Sequence, residues 1–144
     1  MFKTQNSDTL GETISRLWTF ALFCMVFRDI HEMATASTIH GILEGTYEGN
    51  PVNDAGLVFG GVALILMLLT ALLSPMLKPY AAKRLNLIMA PLAFAGMFYL
   101  FPNDPDDFLL GGVTAIAVLA IFTISLVWRT EDARDGLGGV QNAA

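Results

Sequence analysis

Three long stretches of this chain, residues 57–77, 85–101 and 108–127, contain no Asp, Glu, Lys, Arg or His. Soluble domains carry charge on about a quarter of their residues, whereas here 15% of 144 residues are charged and 54% are hydrophobic, with a mean hydropathy of +0.57. Each stretch approaches or exceeds the ~20 apolar residues that cross ~30 Å of hydrocarbon, and a fourth apolar run begins at Leu17. This excludes an ordinary water-soluble domain and makes the lipid bilayer the first partner. Basic residues are also scarce, eight in all, and the formal net charge is −5. Nothing offers the concentrated basic surface that nucleic acid requires.

The chain has one cysteine, Cys24, which excludes an internal disulfide and reads as a small buried hydrophobe. Its two histidines, His31 and His40, lie on one segment. The opposed pair of a bis-histidine haem site is therefore lacking. HEMAT, residues 31–35, begins like the zinc-protease H-E-x-x-H but has Thr35 where the second ligand belongs. His40 and Glu44 share helical spacing and form a candidate outer interfacial site, but two ligands are too few to close a metal shell. No metal and no cofactor are expected. Lys3 and Arg16 before the apolar residues 17–27 resemble the start of a signal peptide. The charged RDIHE then intervenes before the small residues 34–36, against a cleavage site, and Phe23 before Cys24 speaks against a lipoprotein signal.

The distribution of cations orders the crossings. Apart from Arg28 in the first run, Lys and Arg occur in the N-terminal tail (Lys3, Arg16), between the second and third runs (Lys78, Lys83, Arg84) and after the last (Arg129, Arg134). Residues 44–56 and 102–107 carry only acids. The positive-inside bias then predicts four spans, approximately 15–36, 56–77, 84–101 and 108–128, with both termini cytoplasmic. Residues 37–55 form an outer connection with a short interfacial helix, and 129–144 a polar tail. Gly45, Gly49 and Asn50-Pro51 break the chain outside, Pro75 and Pro79 inside, and Pro102 and Pro105 at the second outer turn. Short turns make neighbouring helices antiparallel, so the fold class is all-α, a single four-helix bundle running up-down-up-down.

Small residues mark possible packing faces: Gly56, Gly60 and Gly61 in the second span, and Gly111, Gly112 and Ala115 in the fourth. Such residues let helix backbones approach closely, within one bundle or between copies. Pro91 removes a backbone donor from the third span and is expected to kink it.

FCMVFRDIHEM, residues 23–33, interrupts the first apolar run with Arg28, Asp29, His31 and Glu32. If Arg16 and Trp18 mark the inner interface, Arg28 lies about 18 Å deeper at 1.5 Å per residue. Ala21, Cys24, Arg28, His31, Glu32 and Thr35 recur at helical spacing and share a face, Phe20, Phe23 and Phe27 lie beside it, and Asp29 points a quarter turn away. Two readings stand. The stretch is an intramembrane polar site, where ionisable groups are costly and usually functional, or it is the outer end of a tilted span with Arg28 snorkelling to the headgroups. In the first case Arg28 has Glu32, Asp29 or a second copy as partner, or uncharged groups such as Thr70, Asn86, Tyr99 or Thr114.

The order of F-x-D-I (residues 27–30), I-L-x-G-x-x-x-G (42–49), L-S-x-x-L-K (73–78) and R-x-N (84–86) resembles a family of small bacterial four-span membrane proteins of uncharacterised function. The resemblance implies a multi-pass inner-membrane protein with Asp29 as the family-like acid, and implies no activity. On the residues, the leading expectation is an oligomeric membrane subunit whose polar site, Arg28, Asp29, His31 and Glu32, handles a proton, a cation or a small polar solute. An accessory subunit docked on a larger membrane complex is the alternative. A membrane-embedded enzyme acting on a lipid or quinone lacks a nucleophile–base pair or redox motif.

Overall fold

The computed structural model describes residues 7–47, 50–97 and 105–129. Five helices are present: α1 (Ser7–Met33), α2 (Ala36–Leu43), α3 (Asp54–Leu73), α4 (Pro79–Met97) and α5 (Pro105–Val127). Two short strands, β1 (Thr46–Tyr47) and β2 (Asn50–Pro51), pair antiparallel between α2 and α3, with Thr46 opposite Pro51 and Tyr47 opposite Asn50. The helical architecture is as expected; the ladder within 37–55 is not. Residues 98–104, Tyr99 and Pro102 among them, Gly49 and the tail from residue 130 lie outside the described residues.

Local chemistry sets the helix ends. Asn53 caps α3, its side chain accepting from Gly56 N at 2.7 Å, and Asp54 follows in the first turn, where an acid complements the helix dipole. Pro79 and Pro105 open α4 and α5, where the missing N–H costs nothing. Thr35 ends α1 and starts α2: its hydroxyl donates to Glu32 O at 2.9 Å and accepts from Thr38 N at 3.4 Å. This turn stops α1 at Met33, short of the expected 36. Gly45 takes φ +81, a left-handed conformation that glycine adopts without steric cost, and its carbonyl accepts from Val52 N at 2.9 Å beside the ladder.

Among the described residues, three helical segments are long and apolar enough to cross a membrane: Thr9–Met33, Asp54–Leu73 and Phe108–Val127. α4 is not among them. Lys83, Arg84 and Asn86 occupy its second turn, and the apolar run that continues its sequence extends past Met97, beyond the described part. The helix passes unbroken through Pro91, which is exposed.

α1 packs against α5 and α3, and α4 packs against α5 and α3, so the four long helices close a ring with α1 and α4 on one diagonal. The pattern of burial is that of a membrane protein. Leu57, Val58, Phe59, Leu68 and Ile116 are exposed, while Thr70, Ser74, Asn86, Thr114 and Ser125 are buried. In water the first group would be an aggregation-prone surface; against lipid tails it costs nothing, and Thr70, Ser74, Asn86 and Thr114 find hydrogen-bond partners inside the bundle.

The core sits toward one end of the ring, built from Ile14, Trp18, Ala21, Leu22, Met67, Ala71, Ala82, Ala90, Ala117, Val118 and Ile121. Its centre is polar. Trp18 Nε1 donates to Asn86 Oδ1 at 2.7 Å across the α1–α4 diagonal, and Asn86 Nδ2 donates to Ser74 Oγ at 3.0 Å and Ala82 O at 2.8 Å. Trp18 is therefore a fully buried strut and not the interfacial anchor its position suggested. Gly11 makes room at the same end: a Cβ there would lie 2.9 Å from Ser74 O. α1 can approach the end of α3 only because this residue is glycine.

Of the two expectations for the other small residues, packing within one bundle or between copies, the first is not met at the glycines within this chain. A Cβ on Gly60, Gly61, Gly111 or Gly112 would meet nothing within 4 Å, and one on Gly56 would meet only its capping residue Asn53. These glycines lie in the halves of α3 and α5 far from the core, where α3 exposes nearly every side chain. Ala115, nearer the core, is half-buried.

Candidate functional site

The far end of α1 carries the only charged side chain that is buried among the described residues, Glu32. Helical periodicity puts Arg28 one turn before it, and the Arg28 Nε lies 3.7 Å from Glu32 Oε1 and 4.0 Å from Asp29 Oδ1. These separations are those of ion pairs and too long for hydrogen bonds. The side chains of Arg28 and Glu32 keep 13% and 8% of their exposure, whereas Asp29 keeps 57%. The pair is thus largely removed from solvent, with Asp29 at its margin.

The second contact of Glu32 comes from outside α1. Tyr47 Oη donates to Glu32 Oε2, which brings a phenol from β1 onto a carboxyl 15 residues earlier. The local fold that achieves this is explicit. Thr35 turns the chain at the end of α1, α2 carries it away, Thr46 Oγ1 donates back to Gly41 O at 3.2 Å, and Gly45 reverses it into the ladder. α2 has no buried residue, so its role in the site is to return the strand and not to form a wall.

Sequence reasoning grouped Arg28, His31 and Glu32 on one face. Arg28 and Glu32 do come together, as does Asp29, but His31 is exposed. The separation follows from helix geometry: from Arg28, Glu32 is about 40° around the helix and His31 about 60° to the opposite side. Phe20, Phe23 and Phe27 are exposed, as their flanking position implied. Of the uncharged groups considered as partners for Arg28, Asn86 belongs to the network around Trp18, while Thr70 Oγ1 donates to Leu66 O at 2.8 Å and Thr114 Oγ1 to Leu110 O at 2.7 Å.

His40 Nε2 lies 3.6 Å from Glu44 Oε1, with 78% and 67% of the two side chains exposed. An ion pair this open is worth little. No group of three or more His, Cys, Asp or Glu side chains that could hold a metal occurs among the described residues. Comparison with family models, curated proteins and solved structures finds no match to the chain.

Sequence reasoning missed Tyr47. A signal existed: Thr46-Tyr47, a β-branched and an aromatic residue between Gly45 and the Gly49-Asn50-Pro51 breaker, is a short strand pattern bounded by turn residues. Chemically, the arrangement is a carboxyl held between a guanidinium and a phenol. The guanidinium attracts it across 3.7 Å and the phenol donates a hydrogen bond to it. Such a carboxyl can give up a proton to, or accept one from, a partner that displaces either neighbour, and it can hold a small cationic or hydrogen-bonding group.

Proposed function

We propose that this chain is a multi-pass protein of the bacterial cytoplasmic membrane in which Glu32, with Arg28, Asp29 and Tyr47, forms a polar site that handles a proton, a cation or a small polar solute. The observation that carries the reading is the buried carboxyl of Glu32 at the end of an apolar helix, paired with Arg28 and hydrogen-bonded by Tyr47. Burying charge in this way is costly, and the cost is commonly met where the charge has a task. On this reading Arg28 balances the site and Tyr47 holds the carboxyl in place.

The same proposal includes four crossings with cytoplasmic termini. Gly11 near the start of α1 abuts the end of α3, and Lys83 near the start of α4 reaches the end of α5. α3 and α5 thus finish at the same end of the ring, and a chain that crosses in both must cross back in between, through α4. The Lys and Arg segregation supports placing that end in the cytoplasm. Membership of the small bacterial four-span family that the chain resembles belongs to the proposal as well, as does assembly into an oligomer.

The test is reconstitution into vesicles holding a pH-sensitive dye under an imposed potential. Proton flux that Glu32→Gln abolishes supports the reading; flux no greater than in empty vesicles refutes the proton form of it, and flux that Glu32→Gln leaves unchanged refutes the site.

A second reading, an accessory subunit docked on other membrane helices, is favoured by the far half of α3, where Gly56, Gly60 and Gly61 meet no neighbouring helix of their own chain. It expects migration of the mild-detergent extract well above monomer size, collapsed by Gly60→Leu, and no flux from the isolated chain.

A further inference from the structure

The end of the ring opposite Glu32 gathers cations. Lys78 precedes α4, Lys83 and Arg84 lie in its second turn, Arg129 follows α5, and Arg16 lies on α1. Two of the five are engaged with oxygen atoms of the chain. Lys83 Nζ donates to Trp128 O at 2.6 Å and Leu126 O at 3.3 Å, capping the carbonyl end of α5, and Arg16 lies 3.4 Å from Glu12. This capping also brings Arg129, the residue after Trp128, to the α4 side of the end face.

Lys78, Arg84 and Arg129 are exposed and have no carboxylate within ion-pair distance among the described residues. Arg84 is not sweeping freely: its guanidinium carbon stands 4.2 Å from the centroid of the Tyr80 ring, which holds the charge against the first turn of α4. Beside these cations the surface is apolar, with Met76, Leu77 and Tyr80 exposed. Water would solvate the cations and leave Met76 and Leu77 bare. A nucleic acid would suit the charge and not the apolar surface next to it, and that surface continues into the exposed Leu and Ile side chains of the helices. One kind of molecule offers phosphate and hydrocarbon in that order along the bundle axis.

We propose that this face binds anionic glycerophospholipid, with Lys78, Arg84 and Arg129 on the headgroup phosphate and Met76, Leu77 and Tyr80 against the upper acyl chains. Charge complementarity selects this end alone, since the connections at the other end, residues 44–56 and 102–107, carry acids and no cation. The inference is independent of the Glu32 site and shares no residue with it. Lys83 takes no part in the lipid contact, because its ammonium is already committed to the α5 carbonyls.

The purified full chain in a non-ionic detergent is offered phosphatidylglycerol or phosphatidylcholine of identical acyl composition, and retained lipid is counted by native mass spectrometry. Phosphatidylglycerol should be retained in preference. Each of Lys78→Gln, Arg84→Gln and Arg129→Gln should weaken its retention roughly fivefold, the worth of one basic residue near an anionic membrane surface. The triple variant should retain the two lipids alike. Equal retention of both lipids by the unaltered chain overturns the proposal, as does displacement of phosphatidylglycerol by inorganic phosphate at matched concentration, which would mean that the headgroup alone is recognised. Should the triple variant fail to fold, salt on the unaltered chain decides: screening at about 1 M should release phosphatidylglycerol, and retention that ignores salt overturns the proposal.

Discussion

Replacing Glu32 by Gln changes charge and almost nothing else in shape, so it isolates what the negative charge contributes. The amide oxygen can still accept from Tyr47, but Arg28 loses the carboxylate 3.7 Å away and keeps only Asp29, at 4.0 Å and 57% exposed. Breaking a buried ion pair by removing one partner costs about 3–5 kcal/mol, while an exposed pair is worth about 0–1. With 13% and 8% of the two side chains exposed, this pair lies near the buried limit. The residual pull of Asp29 lowers the figure to about 2–4 kcal/mol, a shift of roughly thirtyfold or more in the unfolding equilibrium. Arg28→Leu should be at least as damaging, because it leaves two acids facing one another. Both together should recover part of the loss, since the coupling is shared and the double variant buries no lone charge. The assay is unfolding in mixed micelles followed by circular dichroism, with the cycle closed by all four proteins. If Glu32→Gln lies within about 1 kcal/mol of the parent, the charge on Glu32 is not coupled to Arg28 and the stretch is simply the outer end of a helix.

Three further outcomes are expected. Asn86→Leu should destabilise by about 1–3 kcal/mol, because it strands the buried indole N–H of Trp18 while Ser74 Oγ keeps its bond to Thr70 O, and pairing it with Trp18→Phe should return part of that cost; the same unfolding assay reads both. Gly11→Ala should cost about 1–3 kcal/mol by forcing a methyl to within 2.9 Å of Ser74 O, whereas Gly60→Ala, with nothing near its Cβ, should gain up to about 1 kcal/mol in an isolated monomer. A loss at Gly60 would instead reveal a neighbouring helix against it. Reporters fused after residue 144 and within residues 79–83 should lie on one side of the membrane and a reporter at Asn53 on the other; a C-terminus on the side of Asn53 would contradict four crossings.

Much of the fold was legible because membrane segments are governed by one strong rule, that a backbone in lipid must satisfy itself by forming helix. Uncharged runs and proline or glycine breaks therefore located α3 and α5 to within a few residues, and the i, i+4 spacing of Arg28 and Glu32 foretold their ion pair. Two details fell outside that rule. Trp18 looked like an interfacial anchor because tryptophan often is one, yet Asn86 is the partner for its N–H at the centre of the bundle, 68 residues away. Only the three-dimensional closure of the ring reveals such a partner. The glycines of α3 and α5 permit close approach within one bundle or between copies, and within this chain α3 uses only the end near Gly11 and Ser74 for tight packing.

The candidate site shows the same division more sharply. What periodicity could supply is local to α1, the pairing of Arg28 with Glu32 one turn on; it grouped His31 with them although His31 stands about 100° from Glu32 around the helix, enough to leave it exposed. What could not be read is Tyr47, because its approach to Glu32 depends on a turn at Thr35, a short helix with no buried residue and a left-handed Gly45 acting in series. Each has local hydrogen bonds, but α2 buries no residue that would fix the segment against the bundle. The short segment 34–47 is therefore better understood as held in place by the Tyr47–Glu32 bond than as the scaffold that creates it. That ordering has a consequence for the site: whatever withdraws Glu32 from Tyr47, a proton or a competing cation, also loosens the segment that covers the end of α1. In Tyr47→Phe that loosening should be permanent. Amide exchange across residues 36–47 should then rise while α1 and α5 keep their protection, and unchanged exchange in that segment would show that the ladder stands without the bond.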